Sequence, residues 1–228
     1  MKRIVFVLVV LSFAGSLFAQ PLKPVNKKVN LGFLAPQDEE VLEAAKNNDF
    51  SKLQELLKAP LAMGAVNAAD KQLRTPLMYA AKNKNLQMIQ LLLQKGARVD
   101  QKDSKQNTAL YYAFRGRDIE IFKTLLPKAD LRDASNRRML HEMVMGQSED
   151  SSLPYIQAYF EEALARGKKD YPDEPGAIAM ELLYGRFPGE KYDADEPAPV
   201  LMEEVALTNP KTKAFFKDLD KTYAFHWE

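Results

Sequence analysis

The 228-residue chain has no cysteine, one tryptophan and two histidines. Without cysteine there can be no disulfide and no thiol catalysis, and no thiol is present to carry a lipid anchor. An excess of one charge is also missing, because 32 Lys and Arg stand against 31 Asp and Glu. The overall charge therefore gives no indication of a nucleic-acid partner.

Catalytic signatures are missing as well. His141-Glu142 begins like the zinc-binding motif HExxH, but Met145 stands where the second imidazole is needed. After residue 19 there is no Ser-x-x-Lys, no Gly-x-Ser-x-Gly and no phosphate-cradling glycine loop. Acidic runs such as Glu161-Glu162 are typical of solvated faces. We expect no enzyme activity, no cofactor and no metal site; the alternative is an enzyme hidden in the C-terminal part, around His226 or the acidic loop.

The N-terminal residues read as a targeting segment. Lys2 and Arg3 precede an apolar run from Ile4 to Leu11, and Leu17-Phe18-Ala19 forms a plausible cleavage site. The run is too short to predict a membrane anchor. We expect a signal peptide over residues 1–19, followed by an extended, proline-containing arm over residues 20–36. Cleavage would leave 30 basic and 31 acidic residues.

A pattern with a period of 33 residues occupies the middle of the chain. Thr75, Leu77, Tyr79 and Ala80 recur as Thr108, Leu110, Tyr112 and Ala113, and Asp70, Leu86, Ile89, Leu92 and Leu93 recur as Asp103, Ile119, Phe122, Leu125 and Leu126. The segment 70–100, with Thr-Pro-Leu near its start and Gly-Ala-x-Val-Asp at its end, resembles the ankyrin repeat. The resemblance implies an all-α solenoid of paired antiparallel helices joined by turns and finger loops.

About five units are predicted, at approximately 37–69, 70–102, 103–132, 133–170 and 171–228, the last being a degenerate repeat with a C-terminal cap. The third unit is short, since Pro127 follows its outer helix and no glycine is present there. In the fourth, Arg138-Met139 replaces Thr-Pro, His141 takes a signature position that orders the stack in this family, and an insertion falls between Met145 and Pro154. Residues 185–199 are predicted to form an exposed loop.

Partner-binding residues follow from the resemblance, because ankyrin proteins bind other proteins through the turn tips and the exposed side of the inner helices. The corresponding positions here are Gln72, Arg74, Lys82, Asn83, Lys105, Asn107, Arg115, Gly116, Ser135, Arg137 and Met145. Five of these eleven residues are Lys or Arg, which favours an acidic partner. The alternative is an ordinary solvated face.

Aromatic residues supply further candidates, since aromatics and arginine are the usual anchors of protein interfaces. We nominate Phe114, the loop residues Phe187 and Tyr192, and Trp227 near the C-terminus. For Trp227 two interpretations remain open, as a plug on the end of the stack or as an anchor offered to a partner.

With its signal sequence, the chain looks like the small periplasmic ankyrin proteins that serve as immunity or self-protection partners. The resemblance implies a periplasmic monomer that binds an exported peptidoglycan hydrolase of the D,D-endopeptidase type and inhibits it stoichiometrically. The alternative is a periplasmic scaffold that stabilises or localises a partner, such as an oxidative-stress enzyme, without inhibiting it.

Overall fold

The computed structural model describes residues 36–58, 64–145, 152–173, 176–184 and 210–223. These residues form helices and connecting turns, and no strand occurs among them. The α-helices are α1 (Pro36–Lys46), α2 (Phe50–Leu56), α3 (Pro76–Lys82), α4 (Leu86–Gln94), α5 (Ala109–Arg115), α6 (Ile119–Leu125), α7 (Ala134–Met145), α8 (Leu153–Asp170), α9 (Ala177–Tyr184) and α10 (Pro210–Tyr223). The predicted all-α class is confirmed.

Each helix of the second unit starts at a side-chain cap. The Thr75 hydroxyl accepts a hydrogen bond from the backbone N–H of Met78, and Pro76 occupies the first helical position, where no amide donor is needed. Asn85 caps α4 by accepting from the Met88 N–H at 2.9 Å. In the third unit Thr108 and Asp118 cap α5 and α6 in the same way.

The pairs stack side by side. The inner helices α1, α3, α5 and α7 pack in succession, while α2, α4, α6 and α8 form the outer row. Leu92 and Leu125 are completely buried in this outer row, and Leu77 and Leu110 are buried in the inner row. The repeated apolar positions therefore face the core as the 33-residue register predicts, and burying them requires the neighbouring unit.

The second and third units end differently. After α4, Gly96 adopts a left-handed φ of +86° and its N–H bonds back to the Leu93 carbonyl, a helix ending that favours glycine. After α6 there is no glycine, and Leu126–Lys128 forms one turn of 3₁₀ helix instead. The change falls at Pro127, which cannot donate a helical hydrogen bond.

The fourth unit begins its inner helix earlier than the second unit does. Arg138-Met139 corresponds to Thr75-Pro76, the cap and first residue of α3, but α7 already begins at Ala134. Asp133 accepts a hydrogen bond from the Ser135 N–H at 2.8 Å and so supports the earlier start. Arg138 consequently lies inside the helix, where its long side chain reaches back to the third unit.

Two C-terminal helices extend the stack. α9 and α10 both pack on the long helix α8, and the ring of Phe160 meets that of Phe216 edge-on at 5.2 Å. Both lie within residues 171–228, where a degenerate repeat and C-terminal cap are predicted. The predicted signal peptide, arm, insertion, loop 185–199 and the residues around Trp227 lie wholly or almost wholly outside the described residues. Among the described residues no helix is both long and apolar enough to cross a bilayer.

Candidate protein-binding surface

A half-buried aspartate, Asp70, organises the turn that precedes α3. One carboxylate oxygen of Asp70 accepts hydrogen bonds from the backbone N–H groups of Gln72 and Arg74, each at 2.8 Å. Its other oxygen accepts from the Tyr79 hydroxyl at 2.6 Å. The turn is thus fastened to the helix that follows it, which holds its exposed tip in one conformation.

The same arrangement recurs in the third unit. Asp103 is only 2% exposed and accepts from the N–H groups of Lys105 and Asn107 at 2.8 Å and from the Tyr112 hydroxyl at 2.7 Å. Burial would raise the pKa of Asp103, but these hydrogen bonds outweigh burial and lower it. Burial and the bond to Asp103 raise the pKa of Tyr112 to about 12.

Arg74 belongs to this network rather than to open solvent. Its side chain is half-buried, and a hydrogen bond with Tyr79 is the main cause that raises the pKa of its guanidinium, with Tyr112 and Asp70 adding smaller contributions. Its Nε is buried and has no hydrogen-bond partner among the described residues. Arg74, predicted as a partner-binding residue, therefore also supports the turns.

The tip of the first of these turns carries an unexpected residue. Leu73 is 53% exposed and adopts a left-handed φ of 59°. Leucine is unfavourable in that conformation, and its exposed side chain contributes little hydrophobic stabilisation to the fold. Gln106 occupies the same place in the next turn, with a φ of 62°. The sequence analysis missed Leu73, although an apolar residue at a turn tip is a signal that could have identified it.

The predicted turn residues Gln72 and Lys105 are exposed at these tips. The Gln72 carbonyl accepts a hydrogen bond from the Ser104 N–H at 2.9 Å, so the two turns are directly joined. Asn107 is half-buried, and its side chain donates weakly to Asp103 and accepts from Arg138 at 2.9 Å. The turns of the second and third units therefore form one continuous edge.

The inner helices place the other predicted residues on a second strip. Lys82 is exposed at the end of α3, and Arg115 at the end of α5 forms an ion pair with Glu142 of α7 at 3.1 Å. Phe114 is half-buried because its ring packs edge-on against Tyr155, with the centroids 5.5 Å apart. Part of Phe114 is thus used inside the stack, and the salt bridge offsets the charge of Arg115.

The remaining described candidates lie at the ends of α3 and α5 and on α7. Asn83 is the C-cap of α3 and donates to the Ala45 carbonyl at 3.0 Å, while Gly116 is the C-cap of α5. Ser135 is buried in the first turn of α7. Arg137 is half-buried in α7, and Met145 is the last residue of that helix. Phe187, Tyr192 and Trp227 lie outside the described residues.

The side chain of His141 is exposed on α7, and the stacking role that the resemblance implies for it stays a prediction. Asn136 makes buried connections between the fourth unit and the units before it: its side chain bonds the Thr108 hydroxyl at 2.9 Å and the Asp130 carbonyl at 2.8 Å, and reaches Asp100 at 3.3 Å. A buried amide with its groups satisfied fixes the register of the two units.

The acidic side chains of the described residues do not gather into one cluster. Within the described ranges, no three His, Asp or Glu side chains converge as ligands for an ion. The carboxylates of Asp70 and Asp103 accept hydrogen bonds from backbone N–H groups and tyrosine hydroxyls, which is a structural role.

Residues 41–135 match the family model of ankyrin repeats, in three copies. The match covers the second half of α1, helices α2 to α6 and the first residues of α7, the part of the chain in which most of the turns, caps and stacked pairs have just been described. This segment consists of ankyrin repeats, and the described fold is an ankyrin-repeat helical solenoid. Ankyrin repeats are protein-interaction modules, so a protein partner is indicated.

A curated relative shares part of this likeness. A stretch of 75 residues is 39% identical to diacylglycerol kinase zeta of Rattus norvegicus and makes up 33% of this chain. It spans only 8% of that relative's length.

Proposed function

We propose that this protein is a periplasmic, stoichiometric inhibitor of a cell-wall hydrolase of the D,D-endopeptidase type, with an immunity or self-protection role. The N-terminal targeting pattern supports export, and the repeats supply a scaffold for protein recognition. Inhibition would be steric: the module covers the mouth of the partner's active site and contributes no chemistry of its own.

The observation that carries the proposal is Leu73. An exposed leucine in a left-handed conformation is unfavourable for the isolated protein, yet Asp70 holds the turn that presents it. An apolar side chain fixed before binding loses little conformational freedom on association. Leu73 and the adjoining turn edge are therefore suited to enter an apolar cleft of a folded partner.

The decisive experiment uses purified protein beginning at Gln20 and the hydrolases of the same cells. Titration of a D,D-endopeptidase should reach zero peptidoglycan cleavage at one equivalent. A stable complex with undiminished cleavage would replace the inhibitor with the scaffold alternative. Failure to bind any exported D,D-endopeptidase would overturn the inhibitor proposal.

Leu73→Asn tests the anchor without harming the fold, because asparagine tolerates the left-handed region better than leucine does. We expect at least tenfold weaker inhibition together with an unfolding free energy equal to or above that of the unmodified protein. Gln106→Asn is the matched control, since it makes the same kind of change at the next turn tip and removes no apolar anchor. Equal loss in both variants would contradict a specific role for Leu73.

A further inference from the structure

A pocket of about 360 Å³ lies between α7 and α9, lined by Arg132, Arg137, Arg138, His141, Leu140 and Leu182. We call it the α7/α9 pocket. Most of its wall lies beyond residue 135, where the ankyrin match ends. The general partner-binding mode of the repeats therefore does not account for it.

The cations of this pocket exceed its anions. Glu181 of α9 is paired with Arg132 at 2.7 Å. The other nearby carboxylates are occupied elsewhere, as Asp133 pairs with Lys102 at 2.7 Å and Glu142 pairs with Arg115 at 3.1 Å. Within the part of the chain that the structure describes, Arg137 and Arg138 have no carboxylate partner.

Arg138 is held in place by neutral groups. Its Nη2 donates to the carbonyls of Lys105 and Gln106 at 3.4 and 3.1 Å and to the Asn107 side chain at 2.9 Å. These acceptors orient the guanidinium without neutralising it. They also join the α7/α9 pocket to the turn edge of the third unit, so that a partner lying along the turns would reach the pocket.

The pocket has an apolar base beside its charges. Leu140 and Leu182 line it, and both are almost completely buried. A small inorganic anion would gain nothing from leucine side chains, whereas a peptide that carries a carboxylate next to an apolar residue would use both features. Arginine suits this role because its planar fork binds a carboxylate through two hydrogen bonds.

We propose that the α7/α9 pocket binds an acidic segment of the partner protein, with a carboxylate between Arg137 and Arg138 and an adjacent apolar side chain against Leu140 and Leu182. The proposal rests on the protein-binding role proposed above and adds the chemistry of the partner. Desolvation by the leucines strengthens the charge-assisted hydrogen bonds, and the remaining long-range attraction decreases with salt.

The test is selection of a phage-displayed random peptide library on the full protein, followed by affinity measurements with synthetic peptides. We expect the enriched peptides to carry Asp or Glu beside an apolar residue. Arg137→Gln should weaken their binding about tenfold, equivalent to about 1.4 kcal/mol. Arg137→Lys should restore part of the loss, and Arg98→Gln, which removes an exposed arginine outside the pocket, should change nothing.

A change in the peptide gives a control that does not depend on the folding of a variant. Replacing the peptide's Glu by Gln should weaken its binding to the unmodified protein by the same factor as Arg137→Gln. Equal binding of the Gln peptide, enrichment of peptides without a carboxylate, or no enrichment would overturn the proposal. So would binding of inorganic phosphate alone. If Leu73→Asn weakens peptide binding and Arg137→Gln does not, binding at the α7/α9 pocket is refuted and the turn edge is the binding surface. Titration of the endopeptidase tests the inhibitor proposal independently.

Discussion

The junction between the second and third units and the junction between the third and fourth are built differently. At the first, two like turns meet: Asp70 and Asp103 make the same bonds within their own units, and the Ser104 N–H donates to the Gln72 carbonyl across the junction at 2.9 Å. The second uses side chains that occur once, namely Asn136, Tyr159 and Arg166. Tyr159 donates to the Leu131 carbonyl at 2.9 Å, and Arg166 donates to the carbonyls of Leu126 and Ala129 at 2.8 Å.

The difference shows how a repeat array ends. Inside the array, apolar positions and turn aspartates specify each neighbour by repetition. At the third unit the glycine ending is lost, and the carbonyls exposed by the altered connection are satisfied by long side chains of α8. A regular junction is therefore held mainly by burial and local turns, whereas the irregular one depends on long-range hydrogen bonds to the backbone.

The largest expected effect breaks the regular junction. Leu92→Ala and Leu125→Ala should each lower the unfolding free energy by about 2 to 5 kcal/mol, because both side chains are fully buried and their removal leaves a cavity. Urea denaturation measures this loss, with the half-buried Leu93→Ala as the control expected to lose less. A loss below about 1 kcal/mol at both buried sites would show that burial does not hold the regular units together.

The next effect breaks the irregular junction. Asn136→Leu should cost about 1 to 3 kcal/mol, because it strands the Thr108 hydroxyl and the Asp130 carbonyl without their buried partner. Asn83→Leu is the matched change at an inner-helix end, where the amide bonds to the Ala45 carbonyl from a half-buried position. Water can replace that bond, so its loss should be smaller. Because this bond joins the first and second units, equal losses would remove the distinction between the irregular junction and the regular part of the stack.

Much of the regular part could be predicted from the sequence, because a 33-residue period fixes which side chains face the core. Thr75 and Thr108 were recognisable as helix starts, and the structure has them as caps. The early start of α7 could not be predicted, since Leu140-His141 matches the family pattern while the bond from Ser135 to Asp133 supports a helix that begins sooner. No period indicates that Arg138 reaches Asn107 or that Asn136 bonds Thr108, because such bonds depend on how two units meet in space.

A smaller effect concerns the turn aspartate of the third unit, Asp103, whose contribution to stability depends on pH. The hydrogen bonds lower the pKa of Asp103 in the folded state, so its stabilising contribution is present above its unfolded pKa and is lost as pH falls through the folded value. Tyr112→Phe removes one of these bonds and should cost about 1 kcal/mol at neutral pH, with the difference from the unmodified protein shrinking in acid. Thermal unfolding between neutral and acidic pH measures this convergence, and a difference that grows in acid would contradict it.

Tyr112 itself extends the test to alkaline solution. Its raised pKa of about 12 means that the neutral phenol is favoured by folding, so stability is retained below pH 10 and lost as pH rises toward the folded value. Tyr112→Phe should remove that part of the alkaline destabilisation. Tyr79→Phe is the comparison in the preceding unit, where the pKa is also raised, chiefly by burial and then by Asp70.

The smallest effect separates two cations that the sequence treated alike. Lys82→Glu should change the unfolding free energy by less than about 0.5 kcal/mol, because its side chain is exposed at the end of α3. Arg74→Glu should be clearly more destabilising, since it brings a carboxylate beside Asp70 in the half-buried network that joins the two turns. Melting temperatures of the two variants decide this. Of the two, Lys82 is then the position at which a charge reversal tests partner binding without altering the fold. Equal stability of both variants would show that Arg74 can serve the same test.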